Sequence, residues 1–195
     1  FTIPIEYPKV GQDPSACKIG IVDLASAKTN WLNVPGDNIQ HYIPRMQWVP
    51  NSNEVILQQL NRQQNESKIF ICNASSGVAN QVYSEKSDSW IDVNKDWTWL
   101  NGNKEFTITS EKDGWRHLYR IARDGKKETL VTKGDYDLIS LKLIDEKNNY
   151  AYFLASPTNA TQKYLYKTRL DGKGKLEMVT PSILPGTHDY DISPT

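Results

Sequence analysis

Residues 97–125 read WTWLNGNKEFTITSEKDGWRHLYRIARDG. Three short apolar runs (WTWL, FTIT and LYRI) are broken by Asn101-Gly102, Asp113-Gly114 and Asp124-Gly125. Asn-Gly and Asp-Gly tolerate positive φ at both turn centres, so strands joined by them close into tight hairpins. Nothing in the stretch has the three-to-four residue spacing of a buried helix face. It reads as a β-meander.

The meander recurs. Lys68-Ile69-Phe70-Ile71 runs to Ser76-Gly77, Arg116-His117-Leu118-Tyr119 to Asp124-Gly125, and Lys163-Tyr164-Leu165-Tyr166 to Asp171-Gly172. A weaker copy, Lys18-Ile19-Gly20-Ile21, carries Ala27 at the glycine position, and successive copies start 50, 48 and 47 residues apart. Trp48–Val55 matches Trp99–Phe106 in phase, with Leu143–Tyr150 at the same offset. A third landmark, Val82-Tyr83, Leu130-Val131 and Met178-Val179, follows each start by about 14 residues. A period of about 40–50 residues with four strands per unit is the signature of a propeller blade. The expected fold is therefore all-β, a β-propeller fragment of about three four-stranded antiparallel blades plus part of a fourth. The repeats fall near 17–61, 66–111, 115–157 and 162–195, all within one domain.

Residues 1–16, with Pro4, Pro8 and Pro14, form an extended lead. Phe1 is not an initiator, and the repeat at 162–195 breaks off where the next hairpin would turn, so the chain reads as a piece of a larger protein. Three blades and a part leave an open end that invites self-association, a homodimer included. Along Trp115–Ile121 the odd positions Trp115, His117, Tyr119 and Ile121 share one face, which is expected to pack between blades. Leu118 lies on the other face between Arg116 and Arg120.

Twenty-three basic and 23 acidic residues cancel and are scattered, giving no electrostatic footprint for nucleic acid or an anionic membrane. No apolar run approaches the roughly 18 residues of a membrane span. Cys17 and Cys72 occupy non-equivalent places in adjacent repeats and read as free structural thiols. Asn65, Asn73 and Asn159 each open a glycosylation triplet, a pattern common by chance.

No catalytic residue is identified. A hydrolase elbow needs Gly-x-Ser-x-Gly, and Ser75-Ser76-Gly77 lacks the first glycine. His117 takes a position held by Ile69 and Tyr164 in sister repeats and reads as packing. His41 and His188 are spaced like neither a zinc pair nor a base with its orienter. Glu85, Asp88, Asp92 and Asp96 cluster around Trp90; a solvated loop is expected there in preference to a Ca²⁺ site, and no metal or cofactor is assigned. The most unusual segment is Ser87–Trp97, SDSWIDVNKDW, longer than a hairpin needs and carrying Trp90. Long propeller loops project from one end of the funnel and often line a binding site.

Several strings in order, Tyr7-Pro8-Lys9-Val10-Gly11, Tyr42–Trp48, Leu60–Asn65, Ser87–Asp92, Ser110–Tyr119 and Thr132–Tyr136, resemble the N-terminal propeller of the dipeptidyl peptidase IV family, most closely its bacterial members. The resemblance implies a serine exopeptidase of the prolyl oligopeptidase class, periplasmic or secreted. Its α/β-hydrolase domain with a Ser-Asp-His triad would lie outside this chain, as would the remaining blades and the paired glutamates that hold the peptide's α-ammonium. On this reading the chain gates and helps bind peptide N-termini and is inactive alone. Counting from Trp90 places Asn94 and Lys95 where members of the family carry an aromatic–arginine pair; neither residue matches that type. Trp90, Asn94 and Lys95 are the candidate substrate-binding residues. The alternative is the propeller of a catalytically inactive relative, or a stand-alone module binding protein or peptide partners.

Overall fold

The structure, a computed structural model, describes residues 2–4, 7, 9–95 and 97–193. The described residues contain fourteen strands and no helix. They are β1 (Gly20–Val22), β2 (Thr29–Trp31), β3 (His41–Trp48), β4 (Glu54–Asn61), β5 (Glu66–Asn73), β6 (Ala79–Lys86) and β7 (Trp99–Leu100), followed by β8 (Glu105–Ser110), β9 (His117–Ala122), β10 (Glu128–Leu130), β11 (Leu138–Asp145), β12 (Tyr150–Ala155), β13 (Tyr164–Arg169) and β14 (Glu177–Met178). Every pairing between them is antiparallel between chain neighbours. The sheets are β1-β2, β3-β4-β5-β6, β7-β8-β9-β10 and β11-β12-β13-β14. Three four-stranded meanders and part of a fourth are what the repeat demands. The described part of the lead carries no strand, and Pro8 lies outside the described residues.

The sheets are out of phase with the repeats by two strands. Residues 17–61 span two sheets, supplying β1 and β2 to one and β3 and β4 to the next. The incomplete sheet is consequently the first, and residues 162–195 contribute β13 and β14, which finish the last four-stranded sheet. Connection length is a guide at the first two crossings only. Nine residues link β2 to β3 and twelve link β6 to β7, against four for the β4–β5 hairpin, but the seven-residue β10–β11 link changes sheet while the eight-residue β12–β13 link does not.

The hydrophobic core consists of layers between successive sheets. Period-two alternation sends Ile69 and Ile71 of β5 into one layer and Phe70 and Cys72 into the layer behind it. The middle layer joins Ile56, Ile69 and Ile71 to Phe106, Ile108, Tyr119 and Ile121. The last joins Leu118 to Phe153, Tyr164 and Tyr166. Fully burying each such side chain contributes about 1.5–3 kcal/mol. Arg120 crosses this junction, donating from Nη1 to the Leu170 carbonyl at 2.9 Å, and Arg123 pairs with Glu54 across the preceding one.

One expected member of the packed face is not there. Trp115 is 40% exposed, because β9 begins at His117 and Trp115 belongs to the turn before it. Strand alternation does not extend into a turn.

Candidate functional site

The twelve-residue connection from β6 to β7 and the six-residue turn 111–116 between β8 and β9 meet at one end of the second and third sheets. Between them lies an open groove of about 470 Å³. One wall is Glu85–Asp92; the other is Thr109–Lys112 with Gly114 and Arg116. The lining is predominantly polar and carries both signs of charge.

The three sequence-derived candidates have different surroundings. Trp90 lines the groove and is 54% exposed. Its Nε1 donates to Asp92 Oδ1 at 3.1 Å, which satisfies the indole's one polar atom and leaves its faces free for contact. Asn94 is 3% exposed and does not line the groove. Its side-chain oxygen accepts from the Thr109 amide at 2.8 Å and from the Thr109 hydroxyl at 3.2 Å. Its backbone N–H donates to Gln58 Oε1 at 2.9 Å. Asn94 thus fastens the connection to β4 and β8 at once. Lys95 is exposed and outside the groove lining.

The wall formed by turn 111–116 is held by a network that sequence reasoning missed. The Glu85 carboxylate accepts from the Tyr83 hydroxyl at 2.7 Å and from the Ser110 hydroxyl. The Lys112 ammonium lies 4.3 Å from the Tyr119 ring centroid and 5.0 Å from that of Tyr83, and pairs with Glu128. Burial first, then the neighbouring Glu85 charge, pushes Tyr83 far above the usual phenol range. Burial first, then its bond to Asp113, does the same for Tyr119. Both remain neutral hydrogen-bond donors. For Asp113 burial is the largest single influence and acts upward, but hydrogen bonds from His117 and Tyr119, the His117 charge and the Trp115 amide together bring it below the ordinary carboxylate value.

His117, expected to be a packing residue, is 2% exposed and polar-bonded on both sides: Nδ1 lies 2.8 Å from Asp113 Oδ2 and Nε2 3.0 Å from the Gly134 carbonyl. The local signal for this pair was the four-residue spacing of Asp113 and His117 around the glycine turn. The partners of Lys112 carried no local signal, since Tyr83 is 29 residues away in the chain and Glu128 is 16.

Among the described residues no three His, Cys, Asp or Glu side chains converge as a metal site would require, and Asp96 of the acidic loop lies outside the described residues. His41 Nδ1 is 3.2 Å from the Gln59 amide nitrogen, and His188 packs on Tyr164 and Tyr190. Both cysteines are free. Among the described residues no helix is long and apolar enough to cross a membrane.

A family profile described as "Dipeptidyl peptidase IV (DPP IV) N-terminal region" matches residues 2–195. The chain belongs to this family. Dipeptidyl peptidase 4 of Arthroderma otae is 26% identical over 179 residues, covering 88% of this chain and 23% of the relative. The inactive dipeptidyl peptidase 10 of Rattus norvegicus is 27% identical over 179 residues, covering 85% of this chain and 22% of that protein. The chain therefore spans under a quarter of the length of these relatives. Among solved structures, Porphyromonas gingivalis dipeptidyl peptidase 4 superposes with a TM-score of 0.83 at 24% identity, covering 97% of this chain and 26% of that one. That likeness establishes the fold: the meanders are blades of a DPP IV-type propeller.

Proposed function

We propose that this chain is a non-catalytic propeller segment of a dipeptidyl peptidase IV-like serine exopeptidase, in which it gates the approach of extended peptides and helps hold their N-terminal ends. The observation that carries this is the family match over residues 2–195. The groove at the sheet ends agrees with it: an exposed indole between charges of both signs suits a peptide, with its apolar side chains and polar backbone. Trp90 makes the contact, Lys95 adds a cation farther along the same connection, and Asn94 serves by fixing that connection in place. Nucleophile, base and the glutamates for the peptide ammonium come from other parts of the parent, which acts in the periplasm or outside the cell. A homodimer is part of the same proposal.

A second reading, the propeller of an inactive relative that only binds partners, is favoured by one observation. The inactive rat relative is as similar to this chain as the fungal dipeptidyl peptidase 4. Assaying the intact parent with a Gly-Pro-linked chromogenic substrate separates the two. Turnover is expected from the parent and none from residues 1–195 alone. A folded parent without turnover selects the inactive reading, and turnover by 1–195 overturns both.

A further inference from the structure

Each complete sheet turns the same kind of face to the sheet before it. In its third strand a buried aromatic stands three residues ahead of the turn that leads to the outer strand: Phe70 ahead of Asn73, Tyr119 ahead of Ala122 and Tyr166 ahead of Arg169. Phe70 shares a layer with Ile21 of β1, Tyr119 with Ile69 and Ile71 of β5, and Tyr166 with Leu118 of β9. The turn adds a backbone approach. A Cβ on Gly77, Gly125 or Gly172 would fall within 2.6 Å of a carbonyl oxygen in the preceding sheet's outer strand.

The first sheet keeps the turn and changes the face. The Asp23 amide donates to the Lys28 carbonyl at 2.9 Å, as the Asn73 amide does to Val78 at 2.9 Å. Asp23 Oδ1 accepts from the Ser26 amide at 2.7 Å, as Asn73 Oδ1 does from the Ser76 amide at 2.8 Å. Three residues ahead of Asp23, however, stands Gly20, and the turn carries Ala27, with φ of 55°, in place of glycine. The aromatic comes instead from β2. Trp31 pairs with Gly20, and a Cβ on Gly20 would lie 3.0 Å from Trp31 Cε3, so the indole lies across β1. On this face Trp31 is 57% and Val22 52% exposed. Ile19 and Ile21 point the other way, into the layer shared with the second sheet.

We propose that this face takes a preceding sheet of the parent's propeller, docked on the Trp31 indole at a wider spacing than any junction within the chain, and that this junction is the seam of the propeller. The occupant follows from continuity, since each later face in this position is covered by a sheet of the same kind. The spacing follows from Ala27, whose Cβ fills the place where the other turns admit a carbonyl oxygen, and from the indole laid over Gly20. A backbone seated as Trp31 is on Gly77 would collide with that Cβ. Without the glycine approach and the third-strand aromatic, this junction buries less surface and opens before the others. The inference rests on the parent being a propeller and not on its peptidase activity.

The test is hydroxyl-radical footprinting and hydrogen exchange of the intact parent, both read by peptide mass mapping. Trp31 is expected to resist oxidation in the folded parent and to be labelled after unfolding in urea. Labelling of the folded parent at the unfolded rate shows a bare face and overturns the proposal. Protection that disappears on dilution makes a second copy the occupant and overturns it equally. Amides of β1 and β2 are expected to exchange about tenfold faster than those of β5 and β6. Trp31→Ala should widen that gap while β9 and β10 keep their wild-type rates. Equal exchange in the two pairs of strands, or no change in Trp31→Ala, removes the seam. Should Trp31→Ala fail to fold, the wild-type footprint and exchange decide alone. Turnover of the Gly-Pro substrate is read separately, so an inactive parent leaves each of these outcomes decisive.

Discussion

A Cβ placed on Gly125 would lie 2.5 Å from the carbonyl oxygen of Val82, in the outer strand of the preceding sheet. The other two strong copies repeat this crowding: a Cβ on Gly77 would lie 2.6 Å from the Trp31 carbonyl oxygen, and one on Gly172 2.3 Å from that of Leu130. The φ values agree, at 74°, 71° and 69° for Gly77, Gly125 and Gly172. In the weak copy Ala27 adopts φ of 55°, so the turn conformation alone accommodates a Cβ. What demands glycine in the strong copies is the backbone of the neighbouring blade.

Substitution of two glycines separates the turn from the interface. Gly102 has φ of 61° with nothing within 4 Å of a Cβ, so Gly102→Ala should cost about 1–2 kcal/mol, the left-handed penalty alone. Gly125→Ala must also displace the Val82 backbone and should cost about 3 kcal/mol or more. Urea midpoints of the two variants check this; equal losses would remove the interface from the argument.

Trp115 and Leu118 reverse the ranking that size alone suggests. Trp115 is 40% exposed while Leu118 is buried in the layer between the third and fourth sheets. Trp115→Ala should destabilise by about 1 kcal/mol or less, and Leu118→Ala by about 2–5 kcal/mol. Thermal or urea unfolding of both variants decides it, and a larger loss at Trp115 would place the indole in the core.

These two residues show what the sequence could convey. Turn dipeptides and strand alternation are local, so Asn101-Gly102, Asp124-Gly125 and the Leu118/Tyr119 facing were readable directly. The Thr132 hydroxyl that accepts from the Leu118 amide at 2.9 Å, repeated by Thr180 and Leu165 at 2.9 Å, was one residue beyond a landmark already visible. Which strands pair into a sheet is non-local; the phase of the repeat became evident only from the pairings themselves, since the seven-residue link from β10 to β11 changes sheet and the eight-residue link from β12 to β13 does not. The groove followed the same division. Trp90 stood out in a long loop, but Asn94 looks like any polar loop residue until β4 and β8 are brought around it.

The two thiols should react differently. Cys72 is buried between sheets, and that burial pushes its thiol up to about 11, leaving almost no thiolate at pH 8. Cys17 is only partly buried, its Sγ donating to the His41 carbonyl at 3.4 Å. Iodoacetamide at pH 8 should label Cys17 in the folded protein and Cys72 only after unfolding, as read by peptide mass mapping. Equal labelling rates without denaturant would contradict the buried placement of Cys72.

Asp113 should set part of the acid limb of stability. Its folded-state proton affinity is below that of an ordinary carboxyl at 3.8, so the unfolded chain takes up its proton first as pH falls. The stabilisation is therefore fully present above that value and is lost as pH drops through the lower folded one. Asp113→Asn should lower the urea midpoint near neutral pH and flatten its decline between about pH 5 and pH 2. Parallel profiles for wild type and variant would show that Asp113 contributes nothing to that decline.

Trp90 and Asn94 lie four residues apart and should fail in opposite ways. The Trp90 indole is satisfied by Asp92 and more than half exposed, so Trp90→Ala should leave the unfolding midpoint within about 0.5 kcal/mol of wild type. In the parent enzyme it should raise KM for peptide severalfold at unchanged kcat, because the lost contact is made by bound substrate and transition state alike. Asn94→Ala leaves the Thr109 amide, part-buried, without its acceptor and should cost about 1–3 kcal/mol of stability. Its effect on KM should be smaller than that of Trp90→Ala at temperatures where the variant stays folded. A Trp90 variant with wild-type KM would detach the groove from peptide binding; an Asn94 variant of wild-type stability would detach that side chain from the fold.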